Sequence, residues 1–153
     1  QGQLGNQSGG GQQQQEQIRA TKQQRDQIKD CDKQAKNIRK QAQKMGQTPA
    51  NQFNADKARS QRDQIQNQIR AMEQEHERLM NGFDETQQQA FREQLQNANR
   101  LREEFNSQLR QMNSELGQAN PDAERVRERA REMEQTMDAW HRQYQALQSQ
   151  TQP

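Results

Sequence analysis

Nonpolar side chains recur along most of the chain at alternating spacings of three and four residues, which places them on one face of an α-helix. The first stripe is formed by Ile28, Cys31, Ala35, Ile38, Ala42 and Met45, with Ile18 upstream in the same phase. The same spacing returns in the stretches 55–79, 91–116 and 123–147. The pattern therefore predicts an all-α protein with four long amphipathic helices and narrow heptad seams.

Helix-terminating and helix-capping residues divide the stripes from one another. Gly46 and Pro49 separate the first two, Asn81-Gly82 ends the second, and Gly117 with Pro121 precedes the fourth. The predicted helices are 13–45, 52–81, 85–116 and 121–149, in a single domain 13–149, with a flexible Gln/Gly-rich leader 1–12 and a tail 150–153. Because the connections are short, neighbouring helices should be antiparallel. An up-down-up-down bundle and paired coiled-coil hairpins both satisfy this pattern.

The composition is poor in nonpolar residues and rich in amides. Only 26% of the residues are hydrophobic, Leu, Ile, Val and Phe total 17, and 35 residues are glutamine. This content excludes a conventional α/β enzyme with a large core. Polar residues such as Arg62, His76 and Arg102 occupy seam positions, so we expect a marginally stable monomer that favours a protein partner or self-assembly.

Charge and processing signals narrow the functional class. The net charge of +2 argues against a general nucleic-acid binder, and no stretch is long and apolar enough to span a membrane. The first helix is nevertheless clearly basic, which suggests either complementary packing with its neighbours or a ridge that docks an acidic partner or an anionic surface. The chain begins at Gln1 rather than Met, from which we expect an exported protein whose leader was removed.

The candidate chemistry consists of two pairs with the spacing of helical metal ligands. Glu73 with His76, and Asp138 with His141, are each three residues apart, and Glu93 lies near their predicted level on the third helix. The competing interpretation is that His76 is a polar seam residue that sets helix register. We expect metal binding to be unlikely, no cofactor, and no enzymatic activity, since no nucleophile is paired with a base.

The fourth helix carries the largest nonpolar row. Its members are Met133, Met137, Trp140 and Tyr144. They are expected to pack on the other helices, or to bind a partner or client if the bundle is open.

The segment FDETQQQAFREQL, residues 83–95, resembles the LTxxQ segment of the Spy-type periplasmic chaperones. Phe83 stands for Leu, Asp84 for Thr and Gln87 for Gln, with Phe91 one turn later; TPANQ at 48–52 is similar to a lesser degree. The resemblance covers 13 residues and implies a cradle-shaped helical dimer that holds unfolded clients.

The leading functional hypothesis is a noncatalytic exported helical subunit with a structural or assembly role, acting through protein–protein contacts. The alternatives are a Spy-like periplasmic chaperone and, behind it, a metal-binding helical bundle.

Overall fold

The computed structural model of the protein describes residues 17–153, and helices make up 85% of them. The helices are α1 Lys22–Gln47, α2 Ala55–Gly82, α3 Glu85–Ala90, α4 Arg92–Leu116 and α5 Ala123–Gln150, with a 3-10 turn at Ala50–Gln52 and two short strands, β1 Ile18–Arg19 and β2 Thr151–Gln152. The predicted leader 1–12 and the first residues of the predicted first helix lie outside the described residues.

Side chains that accept hydrogen bonds from free backbone N–H groups fix where the helices begin. Thr21, Asn54, Asp84 and Asp122 each occupy the position before a helix and accept from amides of its first turn. These caps satisfy donors that have no partner within the helix. They explain why α2 and α5 begin two to three residues later than predicted.

The predicted third helix is divided at Phe91. This residue has φ −100° and ψ 11°, outside helical geometry, and separates α3 from α4. Its ring is fully buried and lies 5.2 Å from the ring of Phe83, measured between centroids. The Phe91 N–H still donates to Gln87, and its carbonyl accepts from Leu95, so the chain continues in nearly the same direction. Packing of the two rings accounts for the local departure from the predicted continuous helix.

Both ends of the described chain differ from the predicted helix and tail. Strands β1 and β2 pair in parallel, with Ile18 opposite Thr151 and Arg19 opposite Gln152. The Ala20 N–H extends this contact by donating to the Gln152 carbonyl at 2.9 Å. Since backbone donors and acceptors need partners when they are shielded from water, the pairing replaces the helical bonds that residues 18–20 lack.

Packing among the helices buries the nonpolar residues of the predicted stripes, except Ile18, Ala55 and Ala123, which are half-buried. Helix α1 packs on α2 and α5, helix α4 packs on α5, and α2 and α4 approach each other less extensively. No large nonpolar side chain in residues 17–153 is exposed. The small nonpolar fraction of the sequence is thus concentrated in one core.

Candidate functional site

A cluster of polar side chains lies inside the core where α1, α2 and α5 meet. His76 Nδ1 on α2 is 2.8 Å from the Tyr144 hydroxyl on α5. Trp140 Nε1 donates to the same hydroxyl at 3.1 Å, and the Cys31 thiol of α1 lies beside it. All four side chains are buried. Tyr144 is therefore the point at which the polar contacts of three helices converge.

Burial keeps the ionisable members of this cluster uncharged at neutral pH. Desolvation lowers the pKa of His76 to about 4, and the nearby Arg102 charge lowers this pKa as well. Desolvation raises the pKa of Cys31 to about 12 and that of Tyr144 well above its ordinary value. Because the charged forms are disfavoured in a core of low polarity, the cluster offers no thiolate nucleophile at neutral pH.

A second buried polar contact joins α1 to α5. His141 Nδ1 lies 2.7 Å from Asp32 Oδ1, and both side chains are almost fully buried. Lys36 approaches the other Asp32 oxygen at 3.5 Å. On the far side of the His141 ring, Nε2 is 3.9 Å from Asp138 Oδ1, while Asp138 Oδ2 is 2.8 Å from Arg142 Nη2. These contacts join α1 to α5 at one level of the fold.

The five metal-ligand candidates do not converge. Glu73 accepts a hydrogen bond from Asn106, whereas His76 bonds to Tyr144 in the first cluster. Asp138 and His141 belong to the second contact, and Glu93 is exposed on α4. Within residues 17–153, no three His, Cys, Asp or Glu side chains are grouped so that they could hold an ion.

The predicted interaction row on the fourth helix lies in the core. Met133, Met137, Trp140 and Tyr144 each have no exposed surface. Trp140 contacts Phe105 of α4 edge-on, with ring centroids 6.5 Å apart. The row packs the helices together, which is the first of the two roles that the sequence suggested for it.

Sequence reasoning missed a buried pair of glutamines between the starts of α1 and α3. Gln24 Nε2 donates to Gln87 Oε1 at 3.1 Å, and Gln87 Nε2 donates to Gln24 Oε1 at 2.9 Å. The second hydrogen of each amide goes to a backbone carbonyl, of Gly82 and Arg19 respectively. Each Oε1 also accepts from the backbone N–H of its own capping residue, Thr21 or Asp84.

This arrangement is two capping boxes placed face to face. Every donor of both amides is used, although the pair is buried. The spacing Thr21-x-x-Gln24 is visible in the sequence and is the signal that would have revealed the first box. The pairing of the two boxes is not visible there, because the glutamines are 63 residues apart.

The outer surface between α4 and α5 contains an open groove of about 560 Å³. Its lining residues are all polar: Glu104, Ser107, Gln108, Gln111, Arg129, Glu132, Gln135 and Thr136. A groove lined by polar residues is unlike a typical pocket for a small organic ligand, which is lined mainly by nonpolar side chains. Its chemistry suits hydrogen-bonded contact with another polar surface.

No match was found among protein-family models, curated proteins or solved structures. In the described residues, no helix is long and apolar enough to cross a membrane.

Proposed function

We propose that this protein is a noncatalytic structural or assembly subunit that acts through polar protein–protein contacts. One observation carries the proposal: within residues 17–153, the cysteine, both histidines and the tyrosine are buried, and no large nonpolar side chain is exposed. Cys31, His76 and Tyr144 are buried and uncharged at neutral pH. In the described part of the chain, we therefore expect contacts with other molecules on the outer faces of the helices.

The finer architecture that we propose is an up-down-up-down antiparallel bundle of α1, α2, α4 and α5, with heptad seams. The start of α1 bonds to the end of α2 through Gln24 and Gly82, and Arg59 near the start of α2 donates to the Leu116 carbonyl at the end of α4. Strand β1, just before α1, pairs with β2, just after α5. These contacts support alternating helix directions around a closed ring.

Sedimentation velocity over a wide concentration range, combined with chemical cross-linking in the cells of origin, tests the proposed function. We expect either a concentration-dependent oligomer or reproducible cross-links from the outer helix faces to a protein partner. A chain that sediments as a monomer at every concentration and forms no specific cross-links would overturn the proposal.

The second candidate function is that of a Spy-like chaperone. The observation in its favour is the capping box Asp84-x-x-Gln87, since these two residues carry part of the resemblance. A chaperone should suppress the aggregation of an unfolded client at near-stoichiometric ratio. If aggregation proceeds unchanged while cross-linking identifies a folded partner, the structural role is favoured over this one.

Export remains part of the proposal. Fractionation of cells that express the full-length natural protein checks it, and recovery in the cytoplasmic fraction alone would contradict it.

A further inference from the structure

Six of the seven lysines in the protein lie on one face of α1. They are Lys22, Lys29, Lys33, Lys36, Lys40 and Lys44, and all six are exposed. At 3.6 residues per turn they fall within an arc of about 80° around the helix axis, and the row is about 33 Å long at 1.5 Å per residue. We call this surface the lysine face.

Only two lysines of the lysine face form an ion pair within residues 17–153. Lys22 pairs with Asp26 at 3.0 Å, and Lys36 lies 3.5 Å from Asp32. In the described part of the chain, the other four lysines form no ion pair within 4 Å. The two arginines of α1 behave differently, because both turn toward the rest of the fold. Arg25 donates to the Ala20 carbonyl, and Arg39 Nε lies 3.9 Å from Asp138.

The charge of α1 stands out against the remainder of the molecule. Helix α1 contains eight basic and three acidic residues, whereas α2 and α5 each contain five of both kinds. The positive charge is thus local to one helix of a protein whose net charge is only +2. A local stripe of charge is best matched by a local stripe of opposite charge, rather than by long-range attraction to a highly charged polymer.

We propose that the lysine face docks an acidic α-helix of a partner protein, an inference that rests on the proposed function. The steps between successive lysines are seven, four, three, four and four residues, which keeps them on one side of a helix over its length. A second helix lying alongside with glutamates at the same spacing can pair with the whole row, as charged flanking positions do in coiled coils. The face has no exposed large nonpolar side chain to insert into lipid.

The use of lysine rather than arginine fits this kind of contact. Lysine is a flexible point charge whose ammonium group pairs with a carboxylate without a fixed fork geometry, so a row of lysines can follow the glutamates of a second helix.

Binding of two synthetic helical peptides to the full chain tests the proposal. One peptide carries six glutamates at the spacing of the lysine face, and the other has the same composition with the glutamates distributed around the helix. We expect the matched peptide to bind at least about tenfold more tightly, since each aligned pair contributes a fraction of a kcal/mol and several add together. Its affinity should decrease with increasing salt.

Two charge-matched variants assign the binding to the lysine face. The first combines Lys29→Glu, Lys33→Glu and Lys40→Glu, none of which removes an ion pair seen in the described residues. The control combines Lys57→Glu, Arg70→Glu and Arg110→Glu, which are exposed, lie on other helices and change the net charge equally. We expect the first to weaken binding of the matched peptide by about tenfold or more and the control to weaken it by less than about threefold. A neutral version, Lys29→Gln, Lys33→Gln and Lys40→Gln, serves if the first variant does not fold.

Equal binding of the two peptides would overturn the proposal, and so would equal effects of the two variants. Tighter binding of anionic phospholipid vesicles or inorganic polyphosphate than of the matched peptide would overturn it as well. If the natural assembly or partner cross-links persist unchanged in the lysine variant, this inference fails while the proposed function stands. Absence of any assembly or cross-link in the unmodified protein would instead contradict the proposed function.

Discussion

The pH dependence of stability should be governed in the mildly acidic range by His76. The folded protein holds the pKa of this side chain at about 4, compared with an ordinary value of 6.5. The unfolded chain therefore binds the proton first as the pH falls, and protonation favours unfolding. The stabilising contribution is fully present above pH 6.5 and decreases progressively as the pH falls toward 4.

The pKa difference sets the size of the effect. A pKa difference of 1 corresponds to about 1.4 kcal/mol, so the lowered pKa of His76 corresponds to about 3 kcal/mol of unfolding free energy. His76 retains only 4% of its surface exposed, so solvent screening does not greatly reduce this figure. A loss of about 3 kcal/mol is a substantial part of the roughly 5–15 kcal/mol that stabilises a typical domain.

Urea denaturation at a series of pH values measures this effect directly. Trp140 is the only tryptophan, is fully buried and bonds to Tyr144 in the same cluster, so its fluorescence reports the transition. We expect His76→Gln to be less stable at neutral pH by about 1–2 kcal/mol, because the hydrogen bond to Tyr144 is lost or weakened. Its stability should change much less than that of the unmodified protein between neutral pH and about pH 4.

The difference between the two pH profiles separates His76 from the carboxylates, which titrate in both proteins. His141→Gln is the matched control, since it replaces the only other histidine and leaves the Tyr144 cluster intact. The pH profile of His141→Gln should differ from that of His76→Gln in the same way as the profile of the unmodified protein does. Parallel pH profiles for the unmodified protein and His76→Gln would refute the conclusion that His76 causes the loss of stability in mild acid.

Three further perturbations test the buried polar contacts. Gln24→Ala and Gln87→Ala should each lower the unfolding free energy by about 2–3 kcal/mol, because each leaves buried groups unpaired. A double-mutant cycle should give a coupling energy of at least about 1 kcal/mol. The control Gln89→Ala, at an exposed position, should change the stability little. Additive effects of the two buried substitutions would contradict the reciprocal pairing. Tyr144→Phe should lower the unfolding free energy by about 2 kcal/mol, because two buried partners lose their shared hydroxyl; denaturant titration measures this, and an unchanged midpoint would refute it. The Cys31 thiol should react with a thiol reagent only at the rate of unfolding, so rapid labelling of the native protein would show that it is accessible.

Hydrophobic periodicity identified most of the nonpolar side chains that form the core. The stripe from Ile28 to Met45 is buried throughout, and the row from Met133 to Leu147 is buried as predicted for packing. This success has a simple physical basis, since the three-and-four spacing defines a helix face without reference to any other part of the chain. Helix starts are similarly local where a capping residue such as Asp84 is present.

Polar contacts in the core could not be predicted in the same way. Asp32 occupies a position next to Cys31 and, in the sequence alone, resembles any other charged residue of the first helix. It is buried because α5 packs on α1 and presents His141 at the same height. That height depends on how far α5 is displaced along α1, and His141 is 109 residues from Asp32 in the sequence. A pattern within one helix contains no information about this shift.

The glutamines illustrate the same distinction within one residue type. Gln23 and Gln24 are adjacent, yet the first is exposed and the second is buried in the reciprocal amide pair. A buried amide is tolerated only when its donors and acceptor are matched, and Gln87 supplies that match from the start of another helix. Glutamine can make such a pair without a counter-charge, since its amide both donates and accepts. The amide-rich composition therefore supports two different uses: solvent-facing helix positions, where propensity is sufficient, and a buried junction between helix starts, where only geometry determines the partner.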